Sequence, residues 1–117
     1  MDHQVALKQL AERIKALSFV EHYHQDVGVI VRSGKNLVAS WWWPREGYKP
    51  RRWELSIRFP GDLIKRYCEL SEDERARAAE NVRITVAHFV GNLGIIPNND
   101  LPRHPQETCE LDERMFD

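Results

Sequence analysis

Cysteine is scarce in this chain: Cys68 and Cys109 are the only two among 117 residues, far apart and in different contexts. They read as reduced thiols of a cytoplasmic protein, not as a bridge. Net charge is nearly absent, at −1, so no whole-protein attraction to nucleic acid or to an anionic membrane is expected. Any basic surface must be local. No uninterrupted apolar run approaches the roughly 20 residues of a membrane span. The first residues, MDHQVALKQLAERIK, are amphipathic and lack the charged-then-apolar order of a secretory signal. There is no internal repeat and no low-complexity tract.

Catalytic motifs are missing too. The chain has no Gly-x-Ser-x-Gly elbow and no cysteine in a recognisable catalytic setting. Ser33-Gly34-Lys35 is too short for a phosphate loop. The Glu and Asp pairs all sit in contexts that structure explains. The expectation is a non-enzyme with no cofactor. Hydrophobic residues make up 42% and charged residues 30%. That is the composition of one ordinary domain, large enough to fold without a metal or disulfide.

Periodicity supplies the fold. Leu7, Leu10, Ile14 and Leu17 recur at helical spacing, with Lys8, Glu12, Arg13 and Lys15 opposite, so residues 3 to 18 read as an amphipathic helix. Val27, Val29 and Val31 alternate through a first strand. Ser33 to Asn36 has turn chemistry, and Leu37 to Trp43 forms a second strand stopped by Pro44. The third strand alternates strictly, with Trp53, Leu55, Ile57 and Phe59 one way and Arg52, Glu54, Ser56 and Arg58 the other. Strict alternation marks a sheet with one buried and one wet face.

Pro60-Gly61-Asp62 ends that strand and starts a short helix carrying Leu63, Ile64, Tyr67 and Leu70. Ser71-Glu72-Asp73-Glu74 matches a capping box, and the helix it starts should run to about residue 92, with Gly94 as its stop. Its stripe is Ala79, Val82, Val86, Phe89, Val90 and Leu93. The expected fold is α+β: a two-layer sandwich of three antiparallel strands with helices on one face, in the order α-β-β-β-α-α. Residues 1–96 should form the domain. Residues 97–117, acidic and with three of the six prolines, should form a flexible tail.

All four tryptophans lie between residues 41 and 53, in the run SWWWPREGYKPRRW. Period-two geometry divides them. Trp41 and Trp43 share the apolar side of the second strand with Leu37 and Ala39. Trp42 joins Val38 and Ser40 on the wet side. The same parity puts His22, His24, Asp26, Ile30 and Arg32 on the open face. PREGYKPRR reads as a long hairpin loop, with Arg45, Lys49, Arg51 and Arg52 against a single Glu46 and with Tyr48 available for stacking.

Arginine and tryptophan are the residue types enriched at binding hot spots. Trp42, Arg45, Tyr48, Arg51, Arg52 and Arg58 are therefore the candidate binding surface. A protein partner is the first expectation, and the low net charge favours it. The alternative is nucleic acid, whose phosphates and unstacked bases suit the same basic and aromatic patch. His22, His24 and Asp26 could converge on a metal, but no fourth ligand is evident, and no metal site is expected. The acidic tail could fold onto the basic loop. Oligomeric state is not indicated.

No family motif occurs. The order helix–strand–strand–strand–helix is similar to the double-stranded-RNA-binding domain, in topology alone and over roughly residues 3 to 93. That family opens its final helix with lysines, where this chain has SEDERARA and an extra helix before it. No residue role is carried over.

Overall fold

A computed structural model describes residues 1–19, 25–32, 36–45, 48–94 and 106–116. The first helix, α1 (His3–Leu17), opens at Asp2, whose carboxylate accepts the Gln4 amide at 2.8 Å. This satisfies a donor that the first turn leaves free. Ser18 closes the helix, and its hydroxyl donates to the Arg83 carbonyl at 3.3 Å. Leu7, Leu10 and Ile14 are fully buried, so the helical spacing in the sequence is the face that packs.

Three strands follow: β1 (Gln25–Arg32), β2 (Asn36–Arg45) and β3 (Tyr48–Arg58). They pair antiparallel in sequence order. From Arg52 onward the alternation of β3 is obeyed, with Trp53, Leu55, Ile57 and Phe59 buried and Arg52 and Arg58 exposed. Leu37, Ala39 and Trp41 of β2 join them in the core. Pro60 and Asp62 flank Gly61, whose φ of 54° lies where a side chain is disfavoured, and this turn leads into α2 (Leu63–Glu69).

The longest helix, α3 (Glu72–Gly94), starts with the expected capping box. The Ser71 amide donates to Glu74 Oε1 at 3.0 Å, and the Glu74 amide donates to Ser71 Oγ at 3.3 Å. Those bonds hold the Glu74 carboxyl below the usual carboxylate range. Across the helix layer, Arg13 donates to Glu80 at 2.8 Å, and Arg83 holds the same carboxylate from one turn on. With Arg83 as the larger influence and Arg13 second, Glu80 is drawn down to about 2.

Two expectations are corrected here. The sheet has four strands in the order β1-β2-β3-β4 and is mixed, not three-stranded and antiparallel. The fourth strand, β4 (Gln106–Glu110), runs parallel to β3. It comes from the span read as a flexible tail. Parallel neighbours need a crossover, which α2 and α3 supply. Cys109 and Leu111 are buried, the Leu111 amide donates to the Arg58 carbonyl at 3.1 Å, and the Phe116 ring lies 6.0 Å from Tyr67. The packed fold therefore extends beyond residue 96. Burial pushes the Cys109 thiol up, which keeps it protonated. Both cysteines are free.

The second correction concerns the hairpin. β2 does not stop at Pro44, and β3 begins before Arg52. The ladder continues through Trp43↔Arg51 to Arg45↔Tyr48, with a register shift after Trp43. Most of the expected loop is strand. Among the described residues no helix is long and apolar enough to cross a membrane.

Candidate functional site

The face of the sheet away from the helices can be read in rows, because directly paired residues share a face. One row brings Trp42 opposite Arg52. The next runs Gly28–Ser40–Glu54–Gln106, the third Ile30–Val38–Ser56–Thr108, and the fourth Arg32–Asn36–Arg58–Glu110. The outer rows are thus basic and aromatic at one end, and mixed in sign at the other.

Trp42 is 38% exposed, whereas Trp41 and Trp53 are at 0% and 1%. The Arg52 guanidinium carbon stands 5.7 Å from the centre of the Trp42 ring, and its Nη2 donates to Ser40 Oγ at 3.0 Å. Stacking and a hydrogen bond together fix the guanidinium over the indole, so the pair offers a partly ordered platform. Arg58 is exposed in the fourth row, between Asn36 and Glu110 in the register. A groove of about 450 Å³ crosses the middle of the face, lined by Arg32, Glu54, Ser56, Gln106, Glu107 and Thr108.

Of the six candidate binding residues, the structure brings Trp42 and Arg52 into contact and sets Arg58 on the same face. Arg45, Tyr48 and Arg51 lie on the paired hairpin backbone, and their side chains are outside the described structure, as is that of Trp43. Val38 was expected to face water. It does lie on the open side, yet it is only 2% exposed, because its row gives it neighbours on both flanks. His22 and His24 are outside the described residues. Asp26 is exposed at a bulge with φ 53°, where the alternation used to align it with them breaks. Among the described residues, no three histidine, cysteine or acidic side chains gather as a metal site would need.

Gln106, Thr108 and Glu110 were not recognised as part of this face. Their signal was slight: Cys109 and Leu111 alternate with polar neighbours over a stretch too short and too polar to stand out beside three prolines. Groups whose proton affinity the fold clearly moves, such as Glu74, Glu80 and Cys109, belong to a cap, an ion pair and the core. Structural roles account for those shifts. No family model, no curated protein and no solved structure matches this chain.

Proposed function

We propose that the chain is a non-catalytic interaction domain that binds a protein partner through its open sheet face, centred on Trp42, Arg52 and Arg58. Trp42 carries this reading: a large aromatic left 38% exposed and stacked by Arg52, on a face that also carries carboxylates. An indole and a guanidinium already held together lose less freedom on binding than loose side chains do. Arg32, Arg52 and Arg58 share the face with Glu54 and Glu110. That mixture of signs suits the polar rim of a protein interface better than a phosphate backbone, which calls for a continuous basic track. The hairpin residues Arg45, Tyr48 and Arg51 extend the surface in this reading. A cytoplasmic setting fits, with Cys68 and Cys109 as thiols.

The test is affinity capture from host lysate with the wild-type chain and with Trp42→Ala and Arg58→Glu variants, with and without nuclease. A protein retained by the wild type, lost from both variants and indifferent to nuclease is the expected result. Loss on nuclease treatment, with retention falling steeply as salt rises, would move the reading to nucleic acid. Retention of the same proteins by both variants would remove the face from consideration.

A further inference from the structure

After β4 the chain turns back across the helix layer. The Met115 amide donates to the Asp112 carbonyl at 3.1 Å, and the Arg114 amide donates to the Asp112 carboxylate at 2.8 Å. Arg66 of α2 holds this turn by donating to the Glu113 carbonyl at 3.1 Å. Met115 and Phe116 are thereby delivered to the helices, where Phe116 meets Tyr67 and both side chains stay partly exposed. Between them and the first half of α3 a groove of about 300 Å³ is left unfilled. Gly94 and Gln106, which flank the undescribed residues 95–105, stand at the far ends of α3 and β4 from it.

The lining of the groove divides by chemistry. Leu70, Met115 and Phe116, all half-buried, and the buried Ala78 give it an apolar floor. Glu74, Arg77 and Asn81 are exposed at its rim, and with Ala78 they follow at three- and four-residue spacing, so α3 turns one face to it. Glu74 is committed to the cap, where it accepts the Ser71 amide. Arg77 and Asn81 are not committed. The bond from Thr85 goes to the Asn81 backbone carbonyl, and among the described residues neither the Arg77 guanidinium nor the Asn81 side-chain amide has a hydrogen-bond partner. Unspent donors therefore border unfilled apolar room.

We propose that this groove binds a small carboxylic acid with an apolar body, such as an arylalkanoate, with its carboxylate on Arg77 and Asn81 and its body on Leu70, Met115 and Phe116. An arginine fork meets a carboxylate with two parallel hydrogen bonds, and a primary amide adds a further donor. The half-buried apolar side chains gain burial when a ring covers them. A volume of about 300 Å³ is at the small end of ligand sites, which suits a single ring and not a nucleotide-sized molecule. Glu74, one turn before Arg77, repels a second anion, so it directs the carboxylate towards Asn81 and disfavours diacids. The site lies on the helix layer and uses none of the open-face residues, so it stands apart from the partner reading.

The test is titration of the full chain with phenylacetate, followed by amide NMR. Saturable shifts centred on Leu70, on Glu74 to Asn81 and on Met115 and Phe116 are expected. Phenylacetamide keeps the ring without the charge and should bind about tenfold more weakly, the scale of a charge-assisted hydrogen bond. Arg77→Gln should weaken phenylacetate by a similar factor and leave phenylacetamide unchanged, so that the two then bind alike. Met115→Ser should weaken both together. Glu74→Gln keeps the cap, because glutamine also serves at that position, and should tighten the acid. Circular dichroism checks that each variant is folded. Equal binding of acid and amide by the wild type would overturn the proposal, as would the absence of a saturable response at these amides. Asp117 follows Phe116 and is outside the described residues. Binding that appears only in Asp117→Asn would also overturn the proposal, by making the chain's own end the occupant.

Discussion

Trp41 and Trp42 are adjacent in sequence, yet one lies in the core and the other on the open face. Trp41 packs with Leu37 and Ala39 and meets Phe19 at 5.2 Å between ring centres. Trp42, one pleat on, meets a guanidinium and solvent. Side-chain chemistry is the same in both, so the pleat alone assigns their roles. The inner face is closed by three helices. The outer face carries mostly polar rows, interrupted by the Ile30–Val38 pair, and among the described side chains Trp42 is its one large aromatic. One face holds the fold together, and the other is free to evolve a surface.

The most direct way to break this comparison is to truncate tryptophans on each side. Trp53→Ala should destabilise by about 3–5 kcal/mol in urea unfolding, the scale for emptying a buried aromatic site. Comparable destabilisation by Trp42→Ala would erase the distinction between the faces. Leu111→Ala comes next. A buried leucine costs roughly 2–4 kcal/mol, so a loss of that size would show that the C-terminal segment closes the inner face. A melting temperature that ignores Leu111→Ala would detach the segment from the core. Ser71→Ala should cost about 1 kcal/mol by removing a cap from the helix layer. Trp42→Ala itself should cost about 0.5 kcal/mol or less, as surface changes usually do.

The subtlest probe is acid. Glu80 is held at about 2 in the folded chain against an ordinary 4.5, so the unfolded chain takes up its proton first as pH falls. The stability this group contributes is fully present above 4.5 and lost as pH drops through about 2. Glu80→Gln should therefore flatten the dependence of stability on pH within that window. An unchanged slope would mean that the Arg13–Glu80–Arg83 bridge between α1 and α3 is not sustained in solution.

Much of this was legible in the sequence, for reasons that differ by element. α1 and β3 have strong periodicity, and β3 divided its two faces without error. The capping box at Ser71 was visible because its chemistry is local. The hairpin was harder: Pro44 read as a breaker and PREGYKPRR as a loop, yet the ladder continues past Pro44 to Arg45↔Tyr48. Least legible was β4. Its place depends on β3, which is remote in the chain, and only Cys109 and Leu111 point inward. The candidate site was recovered in part for the same reason: Trp42, Arg52 and Arg58 follow from local parity, while Gln106, Thr108 and Glu110 reach the face through a long-range pairing.

The late arrival of β4 also bears on how the chain must behave while it is being made. Synthesis delivers β1, β2, β3 and both later helices before β4, so β3 stands without that neighbour until residues 106–110 emerge. An apolar strand in that position would invite other nascent chains to add to it. Instead β3 carries Lys49, Pro50, Arg51, Arg52, Glu54 and Arg58. In the finished fold β4 pairs with Glu54 to Arg58, and Pro50, which has no amide hydrogen to give, lies outside that paired span. Charge and proline of this kind discourage strand addition, and β3 carries both through the interval before its neighbour is synthesised.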